Sequence, residues 1–313
     1  EIASQTVSIP ANTTEFKVSE FKVQGSNLRL WSAEDPQLYT VVVRQKNASG
    51  EEEMVFSTRY GFRQIEQHGQ LVYINGQRIY FKGVNTQDTH PVLGRTMTEK
   101  IMLKDIILMK QANMNTVRTS HYPRSPKMMS MFDYYGLYIM DEADIESHKN
   151  WLDNPTGGTL GSDPAYTAQY VDRNVRMVRR DRNCPSVIFW SMGNEGGVGT
   201  NWQAAKDAVR AFDDRLIHYE GHATNGTFNT YTDIYSSMYP SLSFVSQHVN
   251  GTKPYFVCEY VHARGAGLGN MQEYWDLIEG STAGIGACIW DWVDQGIFDP
   301  ADLNGVDPDD EST

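Results

Sequence analysis

The sequence predicts an α/β protein in which a closed (β/α)8 barrel follows part of an immunoglobulin-like β-sandwich. Three observations predict this fold. From about residue 66 onward, eight short apolar segments alternate with amphipathic helical stripes, the pattern of a parallel sheet. Residues 66–313 number 248, close to the roughly 250 of a (β/α)8 barrel. Residues 1–65 alternate polar and apolar side chains between turn signals and show no helical period.

The first 65 residues contain about four predicted strands. Three of them are read from the runs TEFKVSEFKV, LYTVVVRQ and MVFSTRYGF, and the turn NASGEEE separates the last two. A complete immunoglobulin-like sandwich needs about seven strands and about 100 residues. We therefore expect residues 1–65 to be a partial sandwich whose beginning is missing, and residues 66–313 to be the barrel, truncated after its eighth strand.

The barrel region opens with the hairpin QLVYINGQRIY, whose tip is Asn75-Gly76, a strong turn signal. The spacing Thr96-x-x-Glu99 then predicts a capping box at the start of the first helix. Further helical stripes include Val171, Val175 and Val178. The eight strands are predicted at IYFKGV, TVRTSH, LYIMDE, VIFWSMGN, LIHYEG, IYSSMYP, YFVCEY and GACIWDW.

An open, doubly wound sheet is the alternative fold. It should carry a glycine-rich turn for a phosphate between a strand and a helix. The one candidate turn spans residues 193–199, and Glu195 inside it would repel a phosphate. The sequence therefore favours the barrel.

Composition excludes several functional classes. The net charge of −12 would repel nucleic acid, and no apolar run approaches the roughly 18 residues of a membrane span. Cys184, Cys258 and Cys288 do not form a disulfide framework or a zinc motif. Aromatic residues make up 12% of the chain, which suits a stackable ligand such as a sugar, although core packing accounts for most of them.

In a (β/α)8 barrel the active site lies at the carboxyl ends of the strands. The polar or aromatic residues that end the predicted strands are Asn85, Arg118, His121, Asp141, Glu142, Glu146, His148, Asn194, Glu195, Glu220, Tyr239, Glu259, His262, Trp290, Asp291 and Asp294. Glu195 and Glu259 each follow a buried strand directly, where a carboxylate is costly without a partner or a function. Two such carboxylates in one cleft suit acid/base and nucleophilic attack on an acetal, although each could instead be a strand-end residue paired with arginine.

Several motifs occur in an order that resembles a known enzyme family. They are GVN with HP at 83–91, VRTSHYP at 117–123, GLYIMDEADIESH at 136–148, RDRNCPSVIFWSMGNE at 180–195, CEYVHARG at 258–265 and IWDWVDQG at 289–296. LWSAEDPQLYT and GFR in the first region fit as well. Together they resemble the β-galactosidase branch of glycoside hydrolase family 2, and the resemblance covers nearly the whole chain.

The resemblance implies hydrolysis of terminal β-D-galactosides with retention of configuration. Glu195 would be the general acid/base and Glu259 the nucleophile. Arg118 would support the nucleophile. The residues that the resemblance assigns to sugar binding are His121, Asn194, Tyr239, His262 and Trp290.

The resemblance also implies metal ions. Glu146, His148 and Glu195 match three ligands of a magnesium site, although one histidine among two carboxylates is unusual for Mg²⁺. A sodium ion is possible in a full-length parent, but the segment that supplies its ligands is not found in this sequence.

One loop departs from the family pattern. The family reads RHEHHP after GVN, whereas residues 86–91 here read TQDTHP, so that Gln87 occupies the position of a family histidine. Glutamine can hydrogen-bond a hydroxyl but cannot carry a positive charge. The fine substrate preference is therefore open.

Other functions remain as alternatives. A β-glucuronidase or β-mannosidase of the same family is one, and a sugar-binding fragment that is inactive in isolation is another. Both ends of the chain look cut, so the cellular compartment cannot be read. A homo-oligomer is possible for a full-length parent.

Overall fold

The computed structural model describes residues 2–14, 23, 27–148, 160–221, 230–263, 265, 269–299 and 301. In the first region, strands β1 (Tyr39–Lys46) and β2 (Glu52–Tyr60) form an antiparallel ribbon, which confirms two predicted strands. Val43 and Phe56 face each other in this ribbon and are 56% and 55% exposed. The strand predicted at residues 14–23 lies almost wholly outside the described residues.

The hairpin predicted around Asn75-Gly76 is confirmed. Strands β3 (Ile65–His68), β4 (Leu71–Ile74) and β5 (Gln77–Arg78) form a small antiparallel sheet. Val72 and Ile74 are buried in one apolar cluster with Phe81 and Phe256, which lie at the beginnings of two barrel strands. The hairpin therefore covers the amino-terminal end of the barrel and leaves the opposite end for the site.

All eight predicted barrel strands are present. They are β6 (Phe81–Asn85), β7 (Thr116–Arg118), β8 (Tyr138–Glu142), β9 (Val187–Asn194), β10 (Leu216–Glu220), β11 (Tyr235–Met238), β12 (Tyr255–Tyr260) and β13 (Gly284–Ile289). They pair in parallel in the order β10-β9-β8-β7-β6-β13-β12-β11. Because the last strand pairs with the first, the sheet is a TIM-type barrel and not a doubly wound sheet.

The junction between β13 and β6 requires a glycine. Gly286 has a φ of 155°, and a Cβ at this position would lie 2.2 Å from the carbonyl oxygen of Phe81. The junction between β10 and β11 is different, because the described residues show no ladder there. Instead, Asp233 N donates to Ile217 O at 2.9 Å, and Asp233 Oδ2 accepts from Ile217 N at 2.8 Å.

Six α-helices surround the described part of the barrel. They are α1 (Glu99–Gln111), α2 (Pro126–Tyr135), α3 (Thr167–Asp181), α4 (Thr200–Arg210), α5 (Leu242–His248) and α6 (Met271–Glu279). In this part of the chain no helix is long and apolar enough to span a bilayer.

Two helical details differ from the sequence prediction. The cap of α1 is Thr98, whose hydroxyl accepts from Ile101 N at 3.3 Å, and not Thr96, whose N–H belongs to the preceding turn. The buried face of α3 carries Tyr170, Asn174, Met177, Val178 and Asp181. The valine stripe predicted for this helix therefore lies partly on its flank, because the polar Asn174 and Asp181 also find partners in the interior.

Candidate active site

The carboxyl ends of the barrel strands bring the predicted site residues together. Arg118 ends β7, Asn194 ends β9, and Glu259 lies in β12. All three side chains are almost completely buried. Parallel strands present their ends at one rim, so residues far apart in sequence meet there.

Arg118 connects the groups beneath this rim. Its Nη1 donates to Glu259 Oε1 at 2.8 Å and to Asn85 Oδ1 at 2.9 Å, and its Nη2 donates to Asn194 Oδ1 at 2.8 Å. Its Nε donates to Glu142 Oε2 at 2.7 Å. Burial opposes the charge of Arg118, but the carboxylates of Glu142 and Glu259 raise its pKa well above the usual range. The guanidinium is therefore a permanent, fully bound cation.

Glu195 stands at the mouth of the site. Burial raises its pKa, His148 opposes this shift, and the negative charge of Glu259 raises the pKa further. The side chain of Glu195 is 20% exposed, whereas that of Glu259 is 5% exposed and bound to Arg118. The two carboxylates thus influence each other across one cleft but have different surroundings, which is the condition for separate acid and nucleophile roles.

Aromatic rings form one wall of the cleft. His121 stacks on Trp290 with 5.2 Å between ring centroids, and His262 lies 6.5 Å from the same indole. Tyr239 packs against His262 at 6.3 Å, and its pKa is raised by burial and by the adjacent Glu259 carboxylate. His121 thus partly covers one face of Trp290.

Glu146, His148 and Glu195 form a cluster beside the cleft. Their ligand atoms all lie within 4.8 Å of one another. His148 Nε2 is 2.8 Å from Glu146 Oε1 and also contacts Glu195 Oε2. Asn194 Nδ2 donates to Glu146 Oε1 at 2.9 Å, which ties the cluster to the barrel rim. Two carboxylates and an imidazole, all partly exposed, can bind a divalent cation that keeps several waters.

Left-handed backbone conformations occur at three strand ends around the site. Glu195, Tyr239 and Val261 have φ values of 40°, 46° and 46°. Each such residue costs of the order of 1–3 kcal/mol unless its surroundings favour it. Tyr239 N donates to Glu259 O at 2.8 Å, and Glu195 N donates to Glu220 O at 2.9 Å. The Glu195 and Tyr239 side chains lie at the cleft, whereas Val261 packs against the apolar cluster that contains Tyr260.

The adjacent acidic residues Asp141 and Glu142 of β8 lie on opposite faces of the sheet. Glu142 binds Arg118 inside the barrel, whereas Asp141 accepts from Thr119 Oγ1 at 3.4 Å and lies beside Asp181 of α3. Burial and Asp181 raise the pKa of Asp141 well above its usual range. Asp141 thus lies outside the site, although it ends a strand.

Two contributors were not assigned a site role from the sequence. Asn85 Nδ2 donates to the carbonyl oxygens of Cys258 and Cys288 at 2.8 Å and 3.2 Å, while its Oδ1 accepts from Arg118. Glu142 is the other. Both are polar residues at the end of apolar segments, a signal that the sequence contains without indicating their partners.

Gln87, at the position of a family histidine, is half-buried. Its neighbours are anchored to Arg124, which donates to Thr86 Oγ1 at 3.1 Å and lies 3.4 Å from Asp88 Oδ1. The loop that carries Gln87 is therefore attached to the loop after β7.

Two protein-family models match this chain. The model described as "Glycosyl hydrolases family 2, TIM barrel domain" matches residues 65–306, and the model "Glycosyl hydrolases family 2" matches residues 1–63. The chain belongs to glycoside hydrolase family 2. The predicted fold class, a (β/α)8 barrel preceded by part of a sandwich, is confirmed.

Curated relatives carry the name beta-galactosidase. The protein of Photobacterium profundum is 40% identical over 282 residues, which cover 85% of this chain and 27% of that protein. The protein of Priestia megaterium is 41% identical over 274 residues, with coverages of 85% and 26%. The chain thus spans about a quarter of the length of the curated relatives it matches.

Several solved structures with the same fold carry the name beta-glucuronidase. The enzyme of Ruminococcus gnavus superposes with a TM-score of 0.77 at 19% identity, covering 86% of this chain and 52% of that chain. The enzyme of Dictyoglomus thermophilum gives 0.73 at 21% identity, with coverages of 85% and 52%. At these identities the likeness shows the fold alone.

Proposed function

We propose that the full-length protein containing this chain is a retaining β-galactosidase. The observation that carries the proposal is the pair Glu195 and Glu259 in one cleft with unlike surroundings. Burial and the charge of Glu259 favour a protonated Glu195, as a general acid requires. Arg118, at 2.8 Å, stabilises the negative charge of Glu259, as a nucleophile requires. The name of the relatives supports galactose as the sugar.

The reaction would proceed in two displacements. A carboxylate oxygen of Glu259 attacks the anomeric carbon while Glu195 gives its proton to the departing glycosidic oxygen. Glu195 then takes a proton from water, whose oxygen attacks the anomeric carbon and releases the Glu259 carboxylate. Two inversions at one carbon give net retention.

The remaining residues would position the sugar. Asn194 would hydrogen-bond the 2-hydroxyl, and its amide is oriented by Arg118 and Glu146. His121 and His262 would bind other hydroxyls, Trp290 would stack on the apolar face of the sugar, and Tyr239 would lie beside the nucleophile.

Glu146, His148 and Glu195 would hold Mg²⁺. Their oxygen and nitrogen donors lie within 4.8 Å of one another, and their partial exposure leaves room for water ligands. A cation bound to Glu195 would favour the ionised form of the acid/base, the form that takes a proton from water in the second displacement. A sodium site and a homo-oligomer remain predictions for the full-length protein.

A β-glucuronidase would need a cation for the substrate carboxylate. The guanidinium of Arg118 is already bound to Glu142, Glu259 and two asparagines. This commitment favours the neutral sugar. A β-mannosidase, or a binding protein without turnover, is an outcome that the following assays would detect.

The test uses the full-length protein and nitrophenyl β-galactoside, β-glucuronide and β-mannoside. We expect the galactoside to be hydrolysed fastest, and early NMR spectra to show the β-anomer of galactose. Glu259→Gln should leave less than about 1% of the activity, because it removes the nucleophile. The control Glu279→Gln, on exposed α6, should be fully active. An α-anomer product, or an active Glu259→Gln variant, would refute the mechanism. Calorimetric binding of galactose without turnover would indicate a binding protein.

A further inference from the structure

Glu142 is a buried carboxylate with no role in the two displacements. It ends β8 and is completely removed from solvent. Its Oε2 accepts from Arg118 Nε at 2.7 Å and from Ser191 Oγ at 2.6 Å. Its Oε1 lies 2.7 Å from His121 Nδ1 and accepts from Arg118 Nη2 at 3.1 Å. Both oxygens are therefore fully used, and no substrate atom can reach them.

The contacts of Glu142 fix the orientation of Arg118. A guanidinium has five N–H groups in one plane, so binding Nε and one Nη2 hydrogen to a carboxylate sets the direction of the others. The three remaining hydrogens then point to Glu259 Oε1 and Asn194 Oδ1, each at 2.8 Å, and to Asn85 Oδ1 at 2.9 Å. By orienting Arg118, Glu142 therefore sets the positions of the Glu259 carboxylate and the Asn194 amide.

The same carboxylate selects the tautomer of His121. A carboxylate only accepts, so the 2.7 Å contact requires a proton on His121 Nδ1. In the neutral ring, Nε2 is then an acceptor on the cleft side, where Asn194 Nδ2 lies 3.3 Å away and the oxygens Glu146 Oε1 and Glu259 Oε1 lie at 3.8 Å and 4.0 Å. The tautomer of a functional histidine is commonly set in this manner, by the hydrogen bond of the ring nitrogen that faces away from the site.

A buried chain of side chains holds Glu142 in turn. Ser191 donates to Glu142, so its oxygen accepts from His218 Nδ1 at 2.8 Å. His218 Nε2 then accepts from Ser236 Oγ at 2.9 Å. Burial, assisted by the charge of Arg118, lowers the pKa of His218 to about 3, so this ring is neutral. The chain joins β8, β9, β10 and β11 beneath the cleft.

We propose that Glu142 is a positioning residue for glycoside hydrolysis, because it holds Arg118 against the nucleophile and fixes the cleft-facing tautomer of His121. The inference rests on the proposed function for its kinetic consequence. The tautomer of His121, in contrast, can be measured without any turnover.

The first test is Glu142→Gln in the full-length protein. A guanidinium cannot accept a hydrogen bond, so the new amide nitrogen should turn toward His121, whose ring can switch tautomer. We expect kcat for nitrophenyl β-galactoside to fall about 100-fold or more, since misplacement near the reacting atoms is costly. The Kd of a non-hydrolysed thiogalactoside should also rise, but by a factor at least about ten times smaller than the factor by which kcat falls. Glu142→Asp keeps the charge and should recover part of kcat.

The second test is ¹⁵N NMR of histidine-labelled protein. In the unaltered protein His121 should carry its proton on Nδ1, and in Glu142→Gln the proton should move to Nε2. The matched control is Asp141→Asn, the adjacent buried carboxylate that faces α3. It should leave the His121 signals unchanged and kcat within about threefold.

The outcomes separate the two proposals. Absence of glycoside turnover in the unaltered protein would reject the proposed function but not the Nδ1 assignment. A ring with a proton on Nε2 and none on Nδ1 in the unaltered protein would overturn the positioning role even if Glu142→Gln fails to fold. An active protein in which Glu142→Gln keeps more than about half of kcat would also overturn it.

Discussion

Arg118 Nη1 lies 2.8 Å from Glu259 Oε1, and both side chains are almost completely removed from solvent. In a low-dielectric interior such a pair is strong once formed, but each charge depends on the other for its stability. A single cation therefore supports both the fold and the position of the proposed nucleophile.

Arg118→Lys should impair hydrolysis more than it impairs binding. Lysine keeps the charge, but its ammonium cannot reach Glu142, Glu259 and Asn194 with the planar geometry of a guanidinium. We expect kcat for a galactoside to fall about 10²–10³-fold, with a much smaller change in KM. The control Arg44→Lys alters an exposed ion pair in the β1–β2 ribbon and should have no effect. Equal activity of Arg118→Lys and the control would contradict the supporting role.

Loss of His148 should weaken magnesium binding. The imidazole contacts Glu146 and Glu195, so His148→Ala removes one of three converging donors. We expect the Kd for Mg²⁺, measured by calorimetry on chelator-treated protein, to rise about tenfold or more. His68→Ala removes a similarly exposed histidine from the β3–β5 hairpin and is the control. An unchanged Kd in His148→Ala would rule out this cluster as the site.

Asp133 should make the protein less stable as pH rises. Burial raises its pKa to about 6, only partly offset by the hydrogen bond from Ser186 N at 3.0 Å. The folded state therefore binds the proton more tightly than the unfolded state, whose aspartate pKa is about 3.9. The contribution is complete below pH 3.9 and is lost as pH rises through 6, by about 2–3 kcal/mol.

Asp133→Asn removes this loss and keeps an oxygen for Ser186. We expect the variant to be more stable than the unaltered protein by about 1–2 kcal/mol at pH 7, and its stability to vary less between pH 4 and 7. Urea unfolding at several pH values measures both quantities. Asp172→Asn, at an exposed position of α3, should leave the pH dependence unchanged. A variant with the slope of the unaltered protein would show that Asp133 is not responsible.

Val261 has a φ of 46°, an unfavourable conformation for a β-branched residue. Two substitutions at this position separate strain from side-chain loss. Val261→Gly should be more stable than Val261→Ala by about 1 kcal/mol, because alanine retains the Cβ. At an ordinary position glycine is less stable than alanine by about 0.5–1 kcal/mol. Chemical unfolding of the two variants therefore gives opposite orders for a strained and an unstrained backbone.

The sequence predicted the barrel because buried parallel strands are continuous apolar runs, and all eight runs became strands. It placed Glu195 and Glu259 at strand ends for the same reason. It could not separate Asp141 from Glu142, since both end the same strand and only the sheet's alternation sends one inward. It also could not show that His218, inside an apolar run, binds Ser191 and Ser236. The hydrophobic pattern of the sequence indicates which residues are buried, whereas the hydrogen-bond partners of a buried polar side chain depend on which strands become neighbours.

The junction of β10 and β11 is the place where the described barrel has the fewest main-chain hydrogen bonds between neighbouring strands. Elsewhere in the described barrel, neighbouring strands share main-chain ladders. Here the described contacts include one main-chain bond, hydrogen bonds of the Asp233, His218 and Ser236 side chains, and an apolar cluster that contains Leu216 and Ile234. Thermal opening should therefore begin along this line, and the amide protons of β10 and β11 should exchange with deuterium sooner than those of β7. Because the buried chain from Glu142 crosses this line, opening of the barrel here should also disturb the alignment of the proposed catalytic groups.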